Sequence, residues 1–157
     1  MVLPYLLEHL IELAGSTRGG KPLIVTMLRF TFRDGMTEEQ KAEVLARMRR
    51  TASVESVSFG TVGHDIGDPG EGYTHAYVVG IADLAALERY LHDPVHVEGD
   101  FEILPHVAKL ASIRLSDDTD PALGEKVMAL HLAKVAKYPE WGKLIESLSG
   151  GRIPADA

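Results

Sequence analysis

Residues 72–96 read GYTHAYVVGIADLAALERYLHDPVH, and the fold follows from how this stretch is parsed. Tyr73, His75, Tyr77 and Val79 alternate with Thr74, Ala76, Val78 and Gly80. A period of two with aromatics and valine is a strand pattern, here with one bulky, partly polar face and one small face. Asp83 stands where an N-cap belongs, ahead of a helix whose Leu84, Leu87 and Leu91 share a stripe. Tyr90 follows Leu87 by three residues, so its ring borders that stripe while its hydroxyl can reach a cavity edge. Pro94 disfavours helical geometry at Asp93, which ends the helix near His92. The same proline suits the first position of a new helix capped by Asp93, placing His96 in its first turn. The partial positive charge of a helix start disfavours imidazolium, so this placement predicts a neutral His96, the form a general base needs. The polar groups of any chemical site are expected mostly from this stretch.

Outward from it, the flanks supply the rest of a domain. Upstream, Pro22 to Phe32 is apolar on both faces, as a central strand would be. Thr37 with Gln40 forms a capping box for a helix to about Thr51, with Val44, Leu45 and Met48 facing inward. Val54 to Val62 alternates and reads as a second strand, and Gly63 to Gly72 as a loop. Downstream, a helix from Pro94 to about Lys109 is expected to kink or split at Pro105, ahead of a last strand from Leu110 to Leu115. The order strand, helix, strand, strand, helices, strand is the split βαβ pattern of an α+β, ferredoxin-like βαββαβ domain. Helices on one sheet face leave the other bare, and a second copy of that face would cover it and close a dimeric α/β barrel.

Two flanking regions complete the expected layout. Residues 1–21 hold an amphipathic helix (Leu3, Leu6, Leu7, Leu10, Ile11) and a Gly-rich linker. The domain proper spans residues 22–115. Residues 116–157 form a helical extension carrying Leu123, Val127, Leu130 and Val135, broken at Tyr138-Pro139, with a frayed tail from Ser149. The extension has too little apolar surface to fold alone, so it is expected to pack on the barrel or clasp a partner subunit.

Composition narrows the function classes. With 157 residues, 45% hydrophobic and 25% charged, the chain matches one soluble globular domain. A formal net charge of −7, with no basic stripe, argues against nucleic acid as a partner. There is no cysteine, which excludes disulfides, thiolate catalysis and cysteine-ligated metals and fits a cytoplasmic protein. The first helix carries Glu8 and Glu12 on its polar face rather than Lys or Arg, which argues against a membrane role. His92 and His96 have the i, i+4 count of a helical metal pair, but Pro94 breaks the helix between them. His64, Asp65 and Asp68 offer oxygens and a ring nitrogen, in a Gly-Asp-Pro-Gly context that is ordinary turn chemistry. No metal and no cofactor are therefore expected.

Glu71-Gly72-Tyr73-Thr74-His75, followed by Tyr90-x-x-Asp93-Pro94-x-His96, resembles the stress-responsive dimeric α/β-barrel family over roughly Pro22 to Leu115. That resemblance implies a homodimer of ferredoxin-like domains. In a plant polyketide cyclase of the family, the histidine after the proline is the catalytic base, which implies that role for His96. A tyrosine six residues earlier binds and polarises substrate and matches Tyr90, and the strand-motif histidine near the pocket matches His75. This chain departs at two positions, with Ile24 and Asp93 where that cyclase has histidines.

The resulting expectation is an enzyme. His96 removes a proton beside a carbonyl, Tyr90 hydrogen-bonds the oxygen, and His75 assists. Ile24, Leu28, Leu87 and Leu91 line a pocket for a small apolar, carbonyl-containing ligand, with Tyr73 and Tyr77 as pocket wall or dimer interface. Aldol-type cyclisation, isomerisation or elimination all fit. A non-catalytic, stress-responsive ligand-binding dimer is the alternative, and a scaffold presenting its terminal helices is a third.

Overall fold

The computed structural model describes residues 21–148; the expected N-terminal helix and the tail from 149 onward lie outside the described residues. The elements are β1 (Ile24–Phe32), α1 (Glu38–Thr51), β2 (Phe59–His64), β3 (His75–Ile81), α2 (Leu84–His92), α3 (Pro94–Ile103), β4 (Val107–Ser116), α4 (Leu123–Lys137) and α5 (Pro139–Glu146). The strands form one antiparallel sheet in the order β2-β3-β1-β4. This is the ferredoxin-like α+β arrangement, with β1 central as its two apolar faces require.

The caps act as the residue types dictate. Thr37 Oγ1 accepts from the Gln40 amide at 3.2 Å while Gln40 Oε1 accepts from the Thr37 amide at 2.9 Å, which starts α1. Asp83 accepts from Ala86 N at 2.8 Å and starts α2. Asp93 ends α2, accepts from Val95 N at 2.9 Å and starts α3 beside Pro94. One residue thus closes one helix and opens the next, and it turns the chain at the site.

Several boundaries differ from the sequence reading. β2 begins at Phe59 rather than Val54, because Val54–Ser58 forms a turn in which Val57 N donates to Val54 O at 3.0 Å. Val54 and Val57 still pack on the core, so their spacing mimicked a strand. Gly60 is needed where β2 passes the end of α1, since a Cβ there would lie 2.6 Å from the Ala52 carbonyl oxygen. Similarly, α3 stops at Ile103 instead of running on to Lys109. Pro105 lacks an amide proton, Leu104–His106 tighten into a 3₁₀ turn, and β4 starts at Val107, three residues early.

On the inner sheet face, Phe30, Val79, Ile81 and Val107 are fully buried under the helices with Leu87. On the outer face, the register places Val25, Met27, Val78, Ile113 and Leu115 together. Ile113 and Leu115 remain 57% and 55% exposed. The extension docks on the helical layer of its own chain: α4 packs on α2, and α5 packs on α4 and α3. Among the described residues, no helix is long and apolar enough to cross a membrane.

Candidate active site

Between the inner sheet face and the helices lies a cavity of about 130 Å³. That is an order of magnitude more than one water needs. Leu28 of β1, Leu87 and Leu91 of α2, Leu104 and Leu110 supply apolar wall, and Tyr77, Tyr90 and His96 supply polar edges. Tyr90 projects from the last turn of α2 and His96 from the first turn of α3. Because the Asp93-Pro94 corner folds one helix end against the next start, their rings lie 4.1 Å apart between centroids. His96 is 8% exposed and Tyr90 6%.

Hydrogen bonds fix the proton positions. The His96 Nδ1 lies 2.8 Å from the Tyr90 carbonyl oxygen. A carbonyl can only accept, so Nδ1 holds a proton and Nε2 is the nitrogen free to exchange one. That Nε2 lies 3.3 Å from Asp100 Oδ2, one helical turn along α3. The same Oδ2 accepts from Trp141 Nε1 at 2.7 Å and from Lys134 Nζ at 3.2 Å. Burial alone would push the Asp100 carboxyl up; the neighbouring His96, Lys134 and Trp141 outweigh it and hold the group well below the usual carboxylate range. Burial lowers the Lys134 ammonium, and Asp100 opposes that shift.

The two phenols form a second device. Tyr77 Oη and Tyr90 Oη are 2.7 Å apart. Burial raises both well above the ordinary phenol value, so both keep their protons. Two O–H protons share one mutual hydrogen bond, which leaves one O–H to donate to a ligand oxygen. A donor held in place at a buried cavity edge is the arrangement that stabilises a carbonyl or enolate oxygen.

The expected site residues divide. His96, Tyr90, Leu28, Leu87 and Leu91 line the cavity, and Tyr77 joins them as wall. Ile24 does not: it is buried in the core opposite Ile81 and Ser116, about 13 Å along β1 from Leu28 at ~3.3 Å per residue. His75 also stands apart. Phe30 and Phe32 wall it off, with ring centroids 5.6 and 5.0 Å from its own, and it lines a separate open groove with His64, Glu38 and Lys41. Tyr73 lies in the loop before β3, its ring between the Arg29 guanidinium (4.5 Å) and Lys109 Nζ (4.1 Å). Arg29 in turn grips Asp65 and Glu71, each at 2.6 Å. The pairing of this loop with Arg29 thus holds Tyr73 away from the cavity. Among the described residues, no group of three or more His, Asp or Glu could hold a metal ion.

Several groups of the site were not found from sequence. Asp100 was findable, since His96-x-x-x-Asp100 puts both side chains on one helix face. Arg114, His131, Lys134 and Trp141 carried no such signal, because three of them come from an extension whose docking position no local pattern specifies.

The model of the stress responsive A/B barrel domain matches residues 24–119. Among solved structures, a dimeric ferredoxin-like protein of unknown function from Thermobifida fusca is 19% identical, covering 64% of this chain and 95% of its own, with a TM-score of 0.55. A Dabb family protein from Mesorhizobium loti is 22% identical, covering 60% and 96%, with a TM-score of 0.55. Hydroxynitrile lyase from Passiflora edulis is 17% identical, covering 62% and 94%, with a TM-score of 0.56. No curated protein matches the chain. The motif pair, the one-sided helical layer and the matched span lead to one conclusion: the chain belongs to the stress responsive A/B barrel domain family.

Proposed function

We propose that this chain is a small-molecule enzyme that moves a proton next to a carbonyl without a cofactor. The observation that carries the reading is the meeting of the His96 and Tyr90 rings at the edge of a mostly apolar cavity. His96 Nε2 takes the α-proton of the ligand. The spare phenolic O–H of the Tyr77–Tyr90 pair donates to the carbonyl oxygen as it becomes an enolate. The enolate then attacks a second carbonyl of the same molecule (aldol-type cyclisation), is reprotonated elsewhere (isomerisation) or expels a leaving group (elimination). His75 is placed for none of these steps. The same fold serves a lyase in Passiflora edulis. The working form is a cytoplasmic homodimer of barrel domains, residues 22–115, closed over the outer sheet face that carries Ile113 and Leu115.

The test needs no knowledge of the natural substrate. Levulinate in D₂O, with the protein present, should exchange the protons flanking its ketone faster than buffer does, as followed by proton NMR. His96→Ala should abolish the acceleration while leaving the far-ultraviolet dichroism intact. Exchange no faster than buffer for the wild type sinks the reading. A second reading rests on a specific observation: His96 and both phenols already have partners inside the protein. A site so satisfied also suits a non-catalytic dimer that stores or senses a ligand, and the same experiment separates the two.

A further inference from the structure

Among the described residues, the cavity lining holds one cation without a carboxylate partner. Arg114 lies on the inner face of β4, opposite Thr26 in register, and lines the cavity with Thr26 and Ser112. Its NH2 group lies 2.8 Å from His131 Nε2 of α4. The His131 Nδ1 lies 3.0 Å from the Val127 carbonyl oxygen, which can only accept. The ring proton is therefore on Nδ1, and the Nε2 lone pair accepts from Arg114. Burial, with the Arg114 charge beside it, pushes His131 down to about 4, which agrees with a neutral ring. His131 thus aims the guanidinium without neutralising it. The carboxylate of the cavity, Asp100, is occupied by Lys134, Trp141 and His96. Among the described residues, Arg114 has no carboxylate partner.

Among the described residues, four of the five guanidinium N–H donors are uncommitted, and such a group beside a cavity suits a planar anion. We propose that the cavity takes a carboxylate-bearing carbonyl compound, its carboxylate on Arg114 and its carbonyl turned toward Tyr77 and Tyr90. The carbonyl end rests on the acid/base reading above; the carboxylate end does not. Thr26 and Ser112 add hydroxyl donors near the charged end, and the leucine wall takes the chain between. Arg114 is solvent-exposed, so the charged end of the ligand would sit at the mouth of the cavity.

The experiment compares levulinate with its methyl ester by chemical-shift titration of the full chain. The acid should bind at least about tenfold tighter than the ester, a difference of ~1.4 kcal/mol. Arg114→Gln should bring the two to equal affinity, and Arg114→Lys should retain part of the preference because the charge remains without the planar fork. Thermal melts of both variants check that the fold survives. Equal binding of acid and ester by the wild type overturns the proposal, as does a preference that persists in Arg114→Gln or the absence of any shift at millimolar acid. Tight acid binding without α-proton exchange ends the acid/base reading and leaves this one standing. Exchange with equal affinity for the ester does the reverse.

Discussion

At Asp100, one carboxylate oxygen accepts from Lys134 and Trp141 and lies 3.3 Å from His96 Nε2, and the cost of disturbing it depends on which partner is removed. Lys134 is fully buried, whereas the Asp100 side chain keeps 15% exposure. Asp100→Asn would strand a buried ammonium and should cost about 3 kcal/mol. Lys134→Met leaves Asp100 the Trp141 donor and some water, so about 1–2 kcal/mol is expected. The double variant should cost less than the sum, because it removes both charges together. Urea unfolding midpoints of the three variants check this, and strict additivity would refute the coupling. Tyr90→Phe removes the phenol that adjoins His96 and should slow ketone exchange about 100-fold. Local sequence made His96 and Tyr90 legible because the Asp93-Pro94 corner fixes both by backbone rules. It did not show that Ile24 and His75 stand away from the cavity, since strand period gives a face but not a position along it. Phe30, in register with His75, decides that position.

Among the elements, the α4–α5 extension has more chemical consequence than its peripheral place in the chain implied. It was expected to pack on the barrel or a partner, and it packs on α2 and α3, delivering His131, Lys134 and Trp141 to the cavity. Trp141 is 7% exposed, and its indole N–H is bound at 2.7 Å. Trp141→Ala should cost about 3–5 kcal/mol and raise amide exchange first in α5, measured by hydrogen exchange with mass spectrometry. Loss of protection spread evenly over the sheet would contradict this. His131 should make the docking pH-dependent. Its folded value of about 4 lies below the ordinary histidine value, so the unfolded chain binds the extra proton first. The corresponding stability is present above about pH 6.5 and is lost as pH falls toward 4. The full shift corresponds to about 3 kcal/mol, reduced by the partial solvent contact of the ring. The difference in urea midpoint between pH 7.5 and 4.5 should therefore shrink in His131→Gln. Sequence showed that these helices exist, through their apolar spacing and the Tyr138-Pro139 break. It could not show where they dock, because the stripe of α4 would fit any apolar groove.

Among the described residues, the outer sheet face keeps Ile113 and Leu115 half-exposed, and Ile113→Asp on it should convert a dimer to monomer in light scattering, or the proposed closure fails. The fold class was legible from the sequence alone. Period two, period 3.6, a capping box and a proline corner are local rules whose order along the chain leaves one compact antiparallel arrangement. The start of β2 moved because a turn can imitate strand spacing, and the break expected at Pro105 is followed by a 3₁₀ turn rather than by helix to Lys109. The corner that aims His96 beside Tyr90 was likewise written in neighbouring residues. Only the tertiary structure decided which strand residue faces which, that Tyr77 bonds Tyr90, and that Asp100 meets Lys134 and Trp141 across 34 and 41 residues. The physical reason is range. Backbone sterics and capping act over a few residues and can be read in order. The pairing of buried charges and phenols depends on how whole layers pack, and no short stretch of this chain encodes that.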